Sequence, residues 1–260
     1  MKVSMMALTL AGLLAGAGAA QAQSVVALMD GNMIATVDAK TWTAGKPMKV
    51  SGVDGKLIGI DVRPADGMLY GLFDDGTVAV IDASTAKATM KSKLSTTLAP
   101  GVAATVDFNP VADRLRVIGS DGTNLRANVD DGKVTTDGKL KFADTDMHKG
   151  ETPNIVAGSY TNSMKGAKET ALYNIDATLG ALVKQAPPND GVLTVVGKLG
   201  VKADSYAFDI VMADDTANEG WLLADGTLFR IDLAKGAATE VGKINGASGK
   251  VHDIAVMPSM

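Results

Sequence analysis

The sequence predicts an all-β protein, a five-bladed β-propeller in which the first and last strands share a blade. Two observations support this prediction: a four-strand module recurs along the chain, and the two ends each carry an incomplete module. The composition agrees, because 46% of the 260 residues are hydrophobic and 29 are glycines. Such a chain has ample material for a core and for many strands joined by tight turns.

The module is clearest between Ile58 and Thr89. It contains an alternating segment that ends at Val62, an apolar run from Met68 to Phe73 and a third segment from Thr77 to Asp82. Pro-Ala-Asp-Gly and Asp-Asp-Gly turns separate the three, and we expect a fourth strand over residues 87–94. Alternation with such turns predicts hairpins. One small sheet cannot bury both faces alone, so the pattern implies neighbouring copies.

Further copies follow at intervals of about 50 residues. Asp107-Phe108-Asn109-Pro110 matches Asp61-Val62-Arg63-Pro64, and Phe208-Asp209-Ile210 is a third copy. In two more first strands, Ser159 and Ala255 occupy the place of the aspartate. Five first strands are therefore expected.

A second series of aspartates closes later strands, and each member follows a valine or an isoleucine. The series is Asp38, Asp82, Asp176 and Asp232. Asp176 lies only 17 residues after Ser159, whereas the matching intervals in other modules are 21 to 23 residues. The strand assignment of the fourth module is therefore open to a shift of one hairpin.

The two ends of the mature chain together make one module. Residues 25–50 offer three strands without a leading one, and residues 251–257 offer a leading strand alone. Sharing a blade in this way leaves no unpaired edge where the ring closes. The blades are predicted at residues 251–257 with 25–51, 57–95, 103–141, 154–200 and 205–245. Six or more irregular blades are the alternative.

The first 22 residues are predicted to be a cleaved signal peptide. Lys2 precedes an apolar run from Val3 to Ala17, and Ala20-Gln21-Ala22 provides a cleavage site before Gln23. An uncleaved anchor is the alternative, although the run is short for a membrane span. We therefore expect a single domain over residues 23–260, located in the periplasm or secreted, with no membrane span after cleavage.

Charge argues against some classes of partner. Without Lys2, the mature chain has 24 basic and 29 acidic residues, a formal charge of 24 − 29 = −5. A nucleic-acid-binding protein needs a basic stripe, and a protein of anionic membrane surfaces needs a basic cluster. We expect a monomer that binds an unknown protein, glycan or small-molecule ligand at one funnel face of the propeller.

The recurring aspartates Asp61, Asp107 and Asp209 are the principal candidate ligand-binding residues. If the first strands line a central channel, these carboxylates converge and could hold a polar ligand or a divalent cation such as calcium. The alternative is a repeated structural role, in which each aspartate accepts hydrogen bonds from a turn of the next blade. Identical use in successive blades favours this structural role. No resident cofactor is expected otherwise.

Three arginines in the third blade, Arg114, Arg116 and Arg126, form a second candidate site. Arg114 and Arg116 alternate along one strand, so they share a face, and the hairpin brings Arg126 near them. Together they could clamp a carboxylate or a phosphate group. Internal salt bridges to Asp113 or Asp107 are the favoured alternative.

Two weaker patterns complete the candidates. In an extended strand Asp144, Asp146 and His148 would share one side and could act as metal ligands, but a solvated loop is the favoured interpretation. Trp42 and Trp221 are expected to sit singly, without forming a stacking platform.

Four strings of the sequence resemble a known family. They are DFNPVADRLRVIGSDGTNLRAN from Asp107, GIDVRPADGMLYGL from Gly59, YTNS with ALYNID, and QAPPNDGVLTVVGKLGV from Gln185. Together they resemble the uncharacterised bacterial domains of unknown function catalogued under number 4394, and the likeness covers nearly the whole mature chain. The resemblance implies an exported propeller-type protein and implies no reaction, ligand or active site.

The sequence favours a non-catalytic binding or interaction module. It contains no cysteine, no Gly-x-Ser-x-Gly elbow, no phosphate-binding loop, and two histidines that lie far apart in sequence. A metal-dependent hydrolase or lactonase of propeller type, which would use the channel aspartates, is one alternative. A structural envelope protein is another.

Overall fold

The computed structural model describes residues 24–213, 217–246 and 249–258, so the predicted signal peptide lies outside the described residues. In these ranges 22 strands form five sheets, which confirms the predicted five-bladed β-propeller. Over the same ranges no helix is long and apolar enough to cross a membrane.

Blade 1 joins the two ends of the chain. Its strands are β22 (Val251–Val256), β1 (Ser24–Met29), β2 (Met33–Asp38), β3 (Thr43–Ala44) and β4 (Met48–Lys49). The last strand β22 pairs antiparallel with β1, and Ala255 lies opposite Val26. The predicted shared blade is therefore confirmed. The fourth strand is split, because β3 and β4 pair separately with β2.

Blades 2, 3 and 5 are four-stranded antiparallel meanders. Blade 2 contains β5 (Leu57–Val62), β6 (Leu69–Phe73), β7 (Thr77–Asp82) and β8 (Lys87–Lys93). Blade 3 contains β9 (Ala104–Asn109), β10 (Arg114–Gly119), β11 (Asn124–Ala127) and β12 (Val134–Thr136). Blade 5 contains β18 (Tyr206–Ala213), β19 (Ala217–Ala224), β20 (Thr227–Ile231) and β21 (Ala238–Lys243).

Blade 4 departs from the prediction in one strand. It contains β13 (Lys141–Phe142), β14 (Ile155–Tyr160), β15 (Leu172–Asp176), β16 (Ala181–Gln185) and β17 (Val192–Lys198). The added strand β13 pairs parallel with β17, although residue 141 was assigned to blade 3. Phe142 explains the exchange, because it is 4% exposed in the core cluster that includes residues of blade 4.

The expected shift of one hairpin occurs in blade 4. Asp176 ends the second strand, β15, whereas Asp82 and Asp232 belong to the third strands of their blades or follow them directly. Asp176 caps a different connection: the backbone N–H groups of Asn154 and Leu179 donate to its carboxylate at 3.0 and 2.9 Å. Aspartate is favoured at the start of any turn. The pattern therefore shows where a strand ends, but not whether that strand is the second or the third of its blade.

Five innermost strands surround the channel: β22, β5, β9, β14 and β18. They contact one another in this order, and β18 contacts β22 to close the ring. The hydrophobic cores lie between neighbouring blades, as between blades 2 and 3, where Tyr70 and Phe108 meet edge to face at 5.3 Å. The strands approach closely: a Cβ on Gly59 would lie 2.5 Å from Cγ2 of Val106.

Candidate functional site

The three predicted aspartates converge in the channel. Asp61, Asp107 and Asp209 lie at corresponding places on β5, β9 and β18, and each is at most 8% exposed. One carboxylate oxygen of each lies within 4.8 Å of the others. The structure thus brings together side chains that are about 150 residues apart at the extremes.

Unpaired backbone N–H groups of the innermost strands explain why these positions are acidic. Each innermost strand pairs with a neighbour on one side only, so alternate N–H groups point into the channel. A buried donor without an acceptor costs about 1–3 kcal/mol. The carboxylate of one blade supplies the acceptor for the next. Three such bonds are Phe108 N–H to Asp61 at 2.6 Å, Tyr160 N–H to Asp107 at 2.9 Å and Val256 N–H to Asp209 at 2.8 Å.

We call each such link between neighbouring innermost strands a joint. The fourth joint uses a serine in the aspartate position. The backbone N–H of Ile210 donates to Oγ of Ser159 at 3.0 Å, and the Ser159 hydroxyl donates to Asp209 at 2.9 Å. A hydroxyl can do both because it is a donor and an acceptor. The link from blade 4 to blade 5 is therefore complete without a fourth carboxylate at this level.

The fifth joint depends on Asp253, which sequence reasoning missed. Ala255 occupies the aspartate position of β22 and has no acceptor in its side chain. Asp253 lies two residues earlier on the same face, and its carboxylate accepts the N–H of Ile60 at 2.9 Å. Two-residue periodicity counted back from Ala255 is the sequence pattern that could have identified it. With this bond the ring of joints closes from blade 1 to blade 2.

Burial raises the pKa of all four carboxyls. For Asp61 and Asp107 the pKa lies well above the ordinary 3.8 because of burial first, and then because of the negative charges of neighbouring aspartates. Burial raises the pKa of Asp209 to about 6. For Asp253 burial again raises the pKa well above its ordinary value. Several buried acids at this spacing favour a bound proton or cation near neutral pH.

The three carboxylates suit a divalent cation in composition and spacing. Calcium binds oxygen ligands at about 2.3–2.6 Å, so two oxygens on opposite sides of one ion are about 5 Å apart. A carboxylate has about four lone-pair sites, and its hydrogen bonds to backbone N–H groups use only some of them.

The observed structural role of the three aspartates differs from the expected one in one detail: the N–H donors belong to strands of the next blade and not to turns. Ligand binding at these residues remains a prediction.

The three arginines do not act as one group. Arg116 and Arg126 lie directly opposite each other on β10 and β11, and both donate to the buried carboxylate of Asp137, at 2.5 and 2.7 Å. Arg114 instead donates to the backbone carbonyl of Asp113 at 2.8 Å. Internal pairing is thus observed, but the expected partners Asp113 and Asp107 were wrong. Asp137 reaches Arg116 because the chain after β12 folds back, with Asp137 N–H donating to the carbonyl of Asn124 at 2.9 Å.

Arg63, Asp113 and Asp130 form a cluster of ion pairs between blades 2 and 3, which we call the hub. The sequence analysis did not predict it. Arg63 is 7% exposed and donates through two nitrogens to Asp113, at 2.8 and 2.6 Å, and through two to Asp130, at 3.1 and 2.8 Å. These contacts raise the pKa of Arg63 further above its ordinary value, with Asp113 the largest cause. The repeat does not mark Arg63, because the copy of the Asp61-Val62-Arg63-Pro64 string has Asn109 at this place. The role of Arg63 is to join the blades.

A cleft of about 660 Å³ lies at the end of the ring where the innermost strands begin. Residues at or near the starts of all five strands line it, including Ile58, Ala104, Val156, Tyr206 and His252. Asp61 lies three residues beyond Ile58 along β5, which is about 10 Å. We call this cleft the mouth. It is a separate place from the buried carboxylates, which do not line it.

Of the two weaker sequence patterns, the first takes the favoured loop form and the second does not match the prediction. Asp144 to His148 form turns and not an extended strand. The carboxylate of Asp146 accepts the N–H groups of His148 and Val195 at 2.9 and 2.8 Å, which is a loop-forming role. Trp42 and Trp221 are not single, because their rings meet edge to face at 5.1 Å.

Five small sheets around a channel with joined innermost strands define this protein as a β-propeller. The chain belongs to the family described as Domain of unknown function (DUF4394), whose model matches residues 32–255. The resemblance read from the sequence is therefore confirmed. A comparison with curated proteins gives no match.

Two of the solved structures that are similar to this chain are proteins of unknown function. A protein of unknown function from Bacteroides caccae is 10% identical with a TM-score of 0.48, over 91% of this chain and 99% of that one. A second protein of unknown function, from Bacteroides thetaiotaomicron VPI-5482, is 17% identical with a TM-score of 0.53, over 90% of this chain and 71% of that one. At 17% identity the likeness to the second structure concerns the fold alone.

Proposed function

We propose that this protein is an exported, non-catalytic binding propeller whose ligand occupies the mouth. The supporting observation is the cleft of about 660 Å³ to which all five blades contribute. Its volume falls in the range of ligand pockets, about 300–1,000 Å³. A site built from five blades is rigid, because the joints between the innermost strands hold its walls.

The two histidines, of which only His252 lines the mouth, fit binding better than catalysis. His252 contacts the carboxylate of Asp30 at 2.5 Å, and His148 contacts that of Glu151 at 3.1 Å. Covalent catalysis needs a base directed at a nucleophile. Among the described residues, the side-chain partner of each histidine is a carboxylate, and neither histidine contacts a hydroxyl nucleophile.

A blocked mouth tests this proposal. Ala103→Trp places an indole in the exposed lining of the cleft, and Ala112→Trp places the same group beyond the other end of β9 as the matched control. Both variants and the wild type are applied to a glycan array and to a phage-displayed peptide library. The proposal expects binders that Ala103→Trp loses and Ala112→Trp keeps. Failure to recover any binder, or binders insensitive to Ala103→Trp, would contradict it.

Export is part of the same proposal, supported by the leader pattern of residues 1–22. Expression of the full chain in a bacterial host, followed by fractionation and N-terminal sequencing, should give a protein outside the cytoplasm that begins at Gln23. A cytoplasmic product with Met1 intact would contradict export. Sedimentation should show a monomer.

A second candidate function is a metal-dependent hydrolase or lactonase, favoured by the spacing of at most 4.8 Å between the oxygens of Asp61, Asp107 and Asp209. Thermal unfolding with calcium, magnesium, manganese or zinc chloride, each against EDTA, tests it. A cation at 100 times its Kd should raise Tm by roughly 5–10 °C, and Asp107→Asn should abolish the rise while Asp144→Asn keeps it. If no cation moves Tm, this candidate is excluded. A structural envelope role without a ligand then remains beside the binding role.

A further inference from the structure

The lining of the mouth includes one uncharged stretch. It runs from Thr97 to Ala104, the first residue of β9, and none of its eight residues carries a charge. Leu98 and Val102 of this segment are buried or half-buried, whereas Ala99 and Pro100 are exposed. Together with Val156, this uncharged stretch gives an apolar group of a ligand a surface to cover.

The other segments that line the mouth carry charged residues, with an excess of acid. The charged groups that line the mouth are Asp30, Asp74, Asp75, Asp204, Lys56 and Lys250. With His252 neutral, their formal charge is 2 − 4 = −2. Acidic groups outnumber basic ones in this lining, although Asp75 is paired with Lys93, so the cleft favours a ligand with positive charge.

Asp204 is the carboxylate best placed to meet a ligand. Its backbone is fixed at the mouth, because its N–H donates to the carboxylate of Asp225 at 2.9 Å and its carbonyl accepts Nζ of Lys250 at 2.7 Å. Asp204 is also exposed to solvent. Asp30 in contrast is engaged with His252, and this hydrogen bond is the main cause of its lowered pKa.

We propose that the mouth binds a small amphipathic amine, whose apolar body lies on the uncharged stretch and whose ammonium group lies at Asp204. This inference rests on the proposed function, since it names the ligand class of the same site. Apolar burial supplies most of the affinity. The carboxylate supplies the preference for positive charge.

Three probes with one tail and different head groups test the inference: hexylammonium, hexan-1-ol and hexanoate. Each is titrated into isotopically labelled protein, and the amide resonances of Val102 and Val156 report binding at the mouth. The expected order of affinity is hexylammonium, then hexan-1-ol, then hexanoate. An exposed pair of opposite charges is worth up to about five-fold in affinity, and added salt should reduce it.

Matched variants separate the charge from the apolar surface. Asp204→Asn should abolish the preference for hexylammonium over hexan-1-ol and leave the affinity for hexan-1-ol unchanged. Asp144→Asn, at a carboxylate that is 90% exposed and outside the mouth, should change neither. Both sites tolerate asparagine because neither is buried.

The outcomes distinguish the two proposals. If all three probes bind at the mouth with equal affinity, or if hexanoate binds as tightly as hexylammonium, the amine inference is overturned and binding at the mouth stands. If the preference survives Asp204→Asn, the assignment of the ammonium to Asp204 is overturned. If no probe shifts the resonances of Val102 and Val156, the amine inference is contradicted. The array experiment with Ala103→Trp then tests the wider proposal that the mouth binds a ligand.

Discussion

Replacing Asp209 with asparagine should change how stability depends on pH. The carboxyl is buried, and its pKa in the folded protein is about 6 against an ordinary 3.8. A raised pKa means that the folded state binds the proton more tightly than the unfolded state. The resulting stabilisation is fully present below about pH 3.8 and is lost as the pH rises through 6. Its size is roughly 3 kcal/mol, from 1.36 kcal/mol for each pKa unit.

Asparagine keeps the joint while removing the titration. Its Oδ1 can accept the N–H of Val256, and its amide can donate to Oγ of Ser159. The N–H of Ile210 loses its bond to the Asp209 carboxylate at 2.7 Å but keeps its bond to Oγ of Ser159. The substitution also removes a charge that helps to raise the pKa values of Asp61 and Asp107. The free energy of unfolding of the wild type, measured relative to that of Asp209→Asn, should therefore fall by at least about 2.4 kcal/mol between pH 4 and pH 7.5, because part of the full effect lies below pH 4.

Urea unfolding followed by tryptophan fluorescence at pH 4, 5, 6 and 7.5, in buffer with EDTA, measures this difference. Taking a difference removes the titration of acids elsewhere, because distant sites contribute additively. Asp144→Asn is the control and should track the wild type apart from a small, pH-dependent surface contribution. A constant difference between wild type and Asp209→Asn across the pH range would refute the reasoning, as would a difference that grows in the opposite direction.

Three further predictions concern stability. Arg63→Gln should lower the free energy of unfolding by about 2–3 kcal/mol in urea, because it removes charged hydrogen bonds between two blades; a loss under 0.5 kcal/mol would contradict the hub. Gly59→Ala should cost about 1–3 kcal/mol by overpacking against Val106, and the double variant with Val106→Ala should recover part of this loss, so additive costs would count against the contact. Deletion of residues 251–260 should prevent cooperative folding, because it exposes β1 as an edge; an equally stable truncated protein would argue against the shared blade.

The sequence predicts the fold well because the repeat is expressed in local patterns. Turns such as Asp-Asp-Gly after Phe73 determine where strands end, and the two half-modules at the termini leave few ways to close a ring. The parallel strand β13 was missed, because two residues at Lys141–Phe142 are too few to show a period. Their position depends on packing against blade 4, a long-range contact that no local pattern contains.

For the carboxylates of the channel, the sequence predicted three of the residues and only part of their geometry. Recurrence identified Asp61, Asp107 and Asp209, since equivalent positions in a ring converge. It could not identify Asp253, which replaces the missing acceptor of Ala255 from one period away. The mouth was not predicted from the sequence, because its walls combine loops and strand starts from five blades.

Amide hydrogen exchange measured residue by residue tests the central claim, that each innermost strand is joined to the next by an acceptor side chain in the channel. The amides of Ile60, Phe108, Tyr160, Ile210 and Val256 should exchange only through global unfolding, as core strands do. Asp107→Ala should accelerate the exchange of Tyr160 selectively. Exchange of these five amides as fast as that of unpaired amides on the outermost strand β8 would contradict the claim.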